Sequence, residues 1–317
     1  MEKKLNMPKV SKILITGGSG MVGRALREAL SREGAYHVLS PSRAELDLSE
    51  KKAVLTYLAV EKPDFVYHLA AKVGGIAANI RDPVGFFSEN LEINYNMIHA
   101  AHLTGIRKLI YLGSSCMYPR GREVLKETDL LTGELEPTNE GYAFSKLAGM
   151  LYCKYLKSQM NIDYKVMIPC NIYGEYDDFN LTDAHLVPAV IRKLHQAKSQ
   201  RQACVEIWGD GKARREFLYV GDLVAALLMA LVSYESLPSL MNIGVGLDYS
   251  IEEYYHFAAT VVRYQGGFTY NLDRPSGMRQ KLVDTSKIQA LGWAPKVSLQ
   301  EGMQRVYQYA IKHNLFL

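Results

Sequence analysis

Short apolar runs of strand length alternate along this chain with longer stretches of helical period. The first run is Lys12-Ile13-Leu14-Ile15-Thr16, and similar runs recur at Tyr36 to Ser40, Asp64 to Ala70, Lys108-Leu109-Ile110-Tyr111 and Asp163-Tyr164-Lys165-Val166-Met167-Ile168. Between them lie an amphipathic segment with Leu26, Ala29 and Leu30 on one face, a helical stretch from Pro83 to Leu103, and another carrying Tyr142 and running through about Ser158. Strand and helix in strict alternation predict an α/β chain with a doubly wound parallel sheet. Beyond residue 170 the alternation loosens, and Asp177 to His185 reads as loop. We therefore expect a first domain over 11–170 and a smaller, interleaved C-terminal α/β domain over 171–317, with some later segments returning to the first sheet. Ser250 to Gly266 and Leu299 to Asn314 read as two amphipathic helices of the smaller domain.

Composition narrows the function classes. With 317 residues and 48% hydrophobic content the chain can bury a large core. The net charge of +4 comes without a basic block, so no nucleic-acid partner is expected, and the apolar runs are too short for a membrane span. Met1 to Val10 reads as a loose basic leader. Cysteines at 116, 153, 170 and 204 show no paired spacing, which fits reduced thiols in a cytoplasmic protein.

The first strand runs into Gly17-Gly18-Ser19-Gly20-Met21-Val22-Gly23. Glycines at 17, 20 and 23 permit a tight turn and let a pyrophosphate approach the following helix's amino terminus, beside the backbone of Met21 and Val22. After the second strand, Ser40-Pro41-Ser42-Arg43 offers a guanidinium where an acidic residue would bind ribose hydroxyls. Arg43 suits a 2′-phosphate, which makes NADP(H) the expected cofactor; its alternative is a cap on the next helix. Asp47 is placed beside the adenine. Ala70 and Ala71, after the third strand, are small enough to let the backbone approach ribose and nicotinamide. His68 reads as a core histidine. His99 and His102 lack a third ligand at useful spacing, so no metal is expected.

The fourth strand leads into Leu112-Gly113-Ser114-Ser115-Cys116-Met117-Tyr118-Pro119. If the segment stays extended, Ser114 and Cys116 face one side together. Tyr142 and Lys146 lie one helical turn apart, and an ammonium beside a phenol favours the phenolate. A serine followed by Tyr-x-x-x-Lys resembles the active-site signature of the extended short-chain dehydrogenases and reductases. The runs Ala70-Ala71-Lys72-Val73-Gly74-Gly75-Ile76, Leu112 to Pro119, Glu136-Pro137-Thr138-Asn139-Glu140 and Trp208-Gly209-Asp210-Gly211, followed by Arg215-Glu216-Phe217, are similar to the GDP-L-fucose synthase family from about Lys12 to Trp293.

That resemblance implies a Rossmann-type fold with a nucleotide-sugar domain, NADPH, and conversion of GDP-4-keto-6-deoxy-D-mannose to GDP-L-fucose by epimerisation at C3 and C5 and reduction at C4. It implies that Cys116 removes the α-protons, that His185 reprotonates from the opposite face, and that Ser114, Tyr142 and Lys146 serve the 4-keto oxygen and the nicotinamide ribose. Asn171, Lys193, Trp208, Arg215 and Lys281 are expected to hold the substrate, with Trp208 stacking on guanine and Arg215 reaching the diphosphate. A homodimer is implied by the fold family. The chain departs from the family's pattern at Cys170, at Glu175-Tyr176-Asp177-Asp178 and at Ser276, so a related GDP-4-keto sugar such as a 6-deoxyheptose, or a C4 reductase alone, is an alternative. A non-enzymatic NADP-sensing protein would have no use for Ser114, Tyr142 and Lys146 together.

Overall fold

The computed structural model describes residues 12–181, 184–273 and 278–316. The leader at Met1 to Val10 and the departure at Ser276 lie outside them. Among the described residues the chain builds a six-stranded parallel sheet. β1 (Lys12–Thr16) turns through the glycine run into α1 (Met21–Glu33), and β2 (His37–Leu39) follows. α2 (Lys51–Glu61), β3 (Phe65–His68), α3 (Ile76–Arg81), α4 (Pro83–Leu103), β4 (Leu109–Leu112), α5 (Glu140–Met160) and β5 (Lys165–Pro169) continue the alternation. The second half adds β6 (Asn171–Tyr173), α6 (Leu186–Ser199), β7 (Cys204–Trp208), β8 (Arg214–Arg215), β9 (Phe217–Tyr219) and α7 (Val220–Val232). It ends with β10 (Leu240–Ile243), β11 (Tyr249–Ser250), α8 (Ile251–Val262), β12 (Gly267–Asn271), α9 (Ser286–Ala290) and α10 (Leu299–Lys312).

The main sheet runs β10-β5-β4-β3-β1-β2. Every neighbouring pair in it is parallel. β1 is followed by β2 on one side and β3 pairs with it on the other, so the strand order reverses between β1 and β3, and a crevice opens there at the carboxyl ends. β3 and β4 are buried throughout, as strands covered by helices on both faces must be. β2 and β3 are shorter than their apolar runs: Leu69 and Ala70 leave the sheet after His68 to line the crevice instead.

Two buried apolar clusters divide the molecule. One surrounds the main sheet and includes residues of α1, α2, α4, α5 and α7. The other is built from α6, α8, α10 and the two-stranded pairs β7 with β12 and β6 with β9, with Val187, Ile207, Tyr254 and Met303 in it. β10 and α7, which follow the second cluster's first strands, pack back on the main sheet, β10 against β5 and α7 against α1.

Polar groups also organise this core. His68 is fully buried, its Nδ1 2.8 Å from Thr16 Oγ1 and its Nε2 3.2 Å from Asn94 Oδ1, while Asn94 Nδ2 donates to the Ser145 carbonyl at 3.2 Å. One line of hydrogen bonds thus joins β1, β3, α4 and α5. Burial, followed by the positive charge of Lys146, lowers the imidazole pKa to about 3 against the hydrogen bond to Asn94 Oδ1. The unfolded chain binds this proton near 6.5 and the folded one does not. The stabilisation is therefore complete above that value and declines as pH falls from it towards about 3, by up to roughly 1.4 kcal/mol per pH unit. His68→Gln removes the titration, so its stability deficit relative to wild type, read from urea unfolding, shrinks between neutral pH and pH of about 5. Parallel curves for the two proteins would contradict this account.

Candidate active site

A cleft of ≈ 850 Å³ opens where the strand order reverses, running from the glycine turn past the ends of β3 and β4 to α6. At one end Gly17 takes φ +73, and a Cβ there would lie 2.8 Å from the Ala70 backbone. A Cβ on Gly23 would lie 2.2 Å from the Gly17 carbonyl oxygen. These two contacts exclude side chains and leave a backbone cradle. α1 begins above it with Gly20 as its N-cap and no side-chain cap, so its first N–H groups face the cleft without a local acceptor. Gly20, Met21, Val22, Ala70 and Ala71 line the same wall, and the cradle fits a dinucleotide pyrophosphate. NADPH supplies the hydride when bound there.

Arg43 and Asp47 both border this end. They face each other, Arg43 Nε to Asp47 Oδ2 at 3.7 Å, and Asp47 also accepts from the Ser49 N–H at 3.0 Å and its hydroxyl at 2.8 Å. The Ser49 backbone bond first, its hydroxyl second and then Arg43 hold the Asp47 carboxyl below its usual range, burial opposing them. Arg43 does not cap α2, whose N-cap is Glu50. Its guanidinium is exposed at the cleft rim, available to an incoming phosphate at the expense of a long surface ion pair.

The serine-cysteine segment is not extended. Ser114 has an extended backbone but caps a single 3₁₀ turn, Ser115–Met117, with its Oγ accepting from the Cys116 N–H at 3.2 Å. Alternation therefore does not explain why both side chains reach the cleft. The turn does, by rotating Cys116 onto the side of Ser114. Asn139 Nδ2 lies 3.2 Å and Lys281 Nζ 3.1 Å from Cys116 Sγ. Burial alone would raise the thiol's pKa; the Lys281 charge, the Ser114 and Lys281 hydrogen bonds and Arg215 outweigh it, and the net shift is downward.

Lys146 differs from expectation in a second way. It is 2% exposed, its Nζ donates to the Leu112 carbonyl at 2.9 Å, and it sits 5.0 Å from the Tyr111 ring centroid and 6.0 Å from that of Tyr142. The ammonium faces the ring of Tyr142 while its strongest polar partner is a carbonyl, so it does not pull the phenol towards phenolate. Burial, and next the charge of Cys116, push the Tyr142 phenol well up against the hydrogen bond from Ser114. Burial brings Lys146 down to about 7. Across neutral pH Tyr142 is thus a protonated hydrogen-bond donor beside Ser114.

His185 is the N-cap of α6 and also lines the cleft. Burial first and Lys281 second lower its pKa, and Asp178 opposes them. Of the five expected substrate contacts, Asn171, Arg215 and Lys281 line the cleft, and Lys193 and Trp208 do not. Lys193 Nζ instead lies 5.1 Å from the Trp208 ring centroid and 3.4 Å from Tyr255 Oη. Arg215 Nη1 donates to the Arg214 and Met278 carbonyls at 2.7 and 2.6 Å. Among the described residues there is no group of three or more ligating side chains that could hold a metal ion, and His99 Nδ1 is 2.6 Å from the Tyr152 hydroxyl. None of the described helices is long and apolar enough to cross a membrane.

Two residues without an assigned role in the sequence matter to this geometry. Asn139 begins α5 as its N-cap, and the Pro-Thr-Asn run before a helix was the available signal. Glu216, fully buried between Arg215 and β9, accepts from the Val245 and Gly246 N–H groups at 2.5 and 2.8 Å and from the Val283 N–H at 2.8 Å. Burial raises its pKa to about 7 against these three donors. An acid between a cleft arginine and an apolar strand was the hint.

Residues 13–244 match the NAD dependent epimerase/dehydratase family model. The chain belongs to that family. Among its members, a GDP-L-fucose synthase of Azorhizobium caulinodans is 45% identical over 97% of this chain and 99% of its own length. A GDP-L-colitose synthase of Yersinia pseudotuberculosis is also 45% identical, over 94% and 97%. A GDP-mannoheptose C4 reductase from Campylobacter jejuni, solved with NADP bound, superposes with TM-score 0.87 at 31% identity, covering 96% of this chain and 99% of that one.

Replacing Glu216 by Gln turns an acceptor oxygen into a donor facing backbone N–H groups. The variant should lose roughly 1–3 kcal/mol in urea unfolding, the cost of leaving buried donors unmet. Wild-type stability in Glu216→Gln would show that the carboxylate does not hold these loops.

Proposed function

We propose that the protein is an NADPH-dependent epimerase-reductase that converts GDP-4-keto-6-deoxy-D-mannose to GDP-L-fucose. One observation carries this reading: Ser114, Cys116, Tyr142, Lys146 and His185 line a single cleft whose far end is the glycine cradle. A reductase alone needs the serine, tyrosine and lysine. It has no need of a thiol and an imidazole in the same space as well.

The chemistry follows from one oxygen. A 4-keto sugar has acidic hydrogens at C3 and C5 because the enolate places its charge on O4, and hydride arriving at C4 places charge there too. Ser114 and Tyr142 donate hydrogen bonds to O4, stabilising that charge as it develops. Cys116 takes the α-proton onto its sulfur, and His185 returns a proton to the opposite face of the carbon. Each positioned group contributes about 10²–10⁴-fold. After epimerisation Tyr142 gives its proton to O4 as C4 is reduced, and its raised pKa keeps that proton available at neutral pH. Lys146 holds the nicotinamide ribose. Arg43 binds the 2′-phosphate, with Asp47 displaced towards the adenine.

In this reading Asn171 and Arg215 bind the nucleotide sugar, and Trp208 with Lys193, outside the cleft lining, forms a guanine platform. The first domain, 11–170, binds NADP, and 171–317 is mainly the substrate domain, with β10 as a segment returned to the sheet. A cytoplasmic setting agrees with the four free cysteines. A homodimer forms through α4 and α5, which pack on each other and leave Val84, Phe87, Tyr95, Phe144 and Tyr155 exposed. A second reading, reduction or epimerisation-reduction of another GDP-4-keto sugar such as a 6-deoxyheptose, is favoured by Cys170, which lines the cleft in place of the family's threonine.

Turnover of GDP-4-keto-6-deoxy-D-mannose with NADPH in deuterium oxide should place label at C3 and C5 of the product, located by NMR. Cys116→Ser and His185→Gln should each cut label incorporation at least about 10²-fold. Reduction at C4 without label would remove the epimerase half of the proposal, and turnover of only a heptose substrate would establish the second reading. Sedimentation should show a dimer that Tyr155→Glu dissociates, since a charge at an apolar interface has no partner; a wild-type monomer would end the dimer proposal.

A further inference from the structure

Lys281 was expected to add charge around the nucleotide, and the structure places its ammonium 3.1 Å from Cys116 Sγ. Asn139 directs its amide at the same sulfur from 3.2 Å. A neutral thiol is a weak acceptor, whereas a thiolate accepts both bonds well and pairs with the charge. Lys281 is 7% exposed, so water does little to screen it from the sulfur.

The lysine also has little freedom to leave. Its segment is tied down by Leu125 N–H to the Leu282 carbonyl at 2.8 Å, Asp284 N–H to the Leu125 carbonyl at 3.0 Å, and Val283 N–H to Glu216 Oε2 at 2.8 Å. A residue two positions from a buried carboxylate clamp is held for a fixed partner.

We propose that Lys281 holds Cys116 as a thiolate in the resting protein and is a positioning residue for proton abstraction, with Glu216 fixing the segment that carries it. This rests on the reading of Cys116 as the base. The other groups facing the sulfur are Ser114, Arg215 and Tyr142, while Glu136 faces Arg215 and His185 faces Lys281. Arg215 adds to the effect of Lys281, and the net shift of the thiol is downward despite its burial. Abstraction then transfers the C–H proton to a sulfur that is already anionic. The C–H electron pair becomes the enolate, its charge passes to O4, and the proton ends on the sulfur.

The test needs no substrate. Iodoacetamide modifies thiolates, and peptide mass spectrometry after timed exposure at pH of about 5 to about 10 reads Cys116 separately from Cys204, which is exposed and serves as the internal reference. In the wild type the alkylation midpoint of Cys116 should lie below that of Cys204. Lys281→Met should raise the Cys116 midpoint by roughly one pH unit or more, about a tenfold loss of thiolate at neutral pH, while Lys281→Arg keeps it low. In turnover, Lys281→Met should lower kcat for C3 and C5 exchange with little change in KM.

A wild-type Cys116 midpoint at or above that of Cys204 overturns the proposal, and this comparison stands even if Lys281→Met fails to fold. An unchanged midpoint in Lys281→Met, or a rise in KM for the GDP-sugar with kcat intact, overturns it in favour of a phosphate contact. Absence of turnover with every GDP-4-keto sugar would defeat the functional reading alone and leave the alkylation result standing.

Discussion

An ammonium with 2% exposure at the end of β4 sets the terms for this site. Lys146 reaches from α5 to the Leu112 carbonyl, and that one bond fixes the helix against the strand at the point where the chain turns into Ser114. Water is excluded around it, which is why His68, Tyr142 and Lys146 all move away from their ordinary ionisation, each towards its neutral form. Such a floor is unfavourable for charge at rest. It strengthens every hydrogen bond offered to a charge that appears during reaction.

The support is polar as well as apolar. Thr16, His68, Asn94 and the Ser145 carbonyl form a hydrogen-bonded line under the floor, so β1, which carries the glycine turn, and α5, which carries Tyr142 and Lys146, share one register. On the far side Glu216 performs the same service for the loops after β10 and before α9. Partly satisfied networks of this kind would be costly to bury. Here each links a segment of the cleft to the rigid sheet, so the cofactor wall and the thiol are held by separate anchors.

Much of this was legible along the chain. Strand-length apolar runs separated by helical periods specify a doubly wound parallel sheet, and glycines after the first strand mark the cradle because no side chain fits there. Tyr142 and Lys146 were recognisable from one turn of helical spacing. Their electrostatic relation was not, because the direction of an ammonium depends on which carbonyl it meets. Ser114 and Cys116 both reach the cleft, but through a local 3₁₀ turn and not through the extended segment that alternation predicted. Lys193 and Trp208 found each other outside the cleft lining, a pairing between α6 and β7 that spacing does not reveal.

By itself the sequence determined the fold class and the glycine turn and named candidate reactive side chains, because periodicity, glycine sterics and residue chemistry are local properties. Only the tertiary structure decided what each reactive group sits against. Lys281 is distant in sequence from Cys116, and it comes to the sulfur through Glu216 and the pairing of Leu125 with Leu282 and Asp284. Ionisation is governed by such neighbours and by burial, and neither exists until the sheet, the second cluster and the loops between them have packed together.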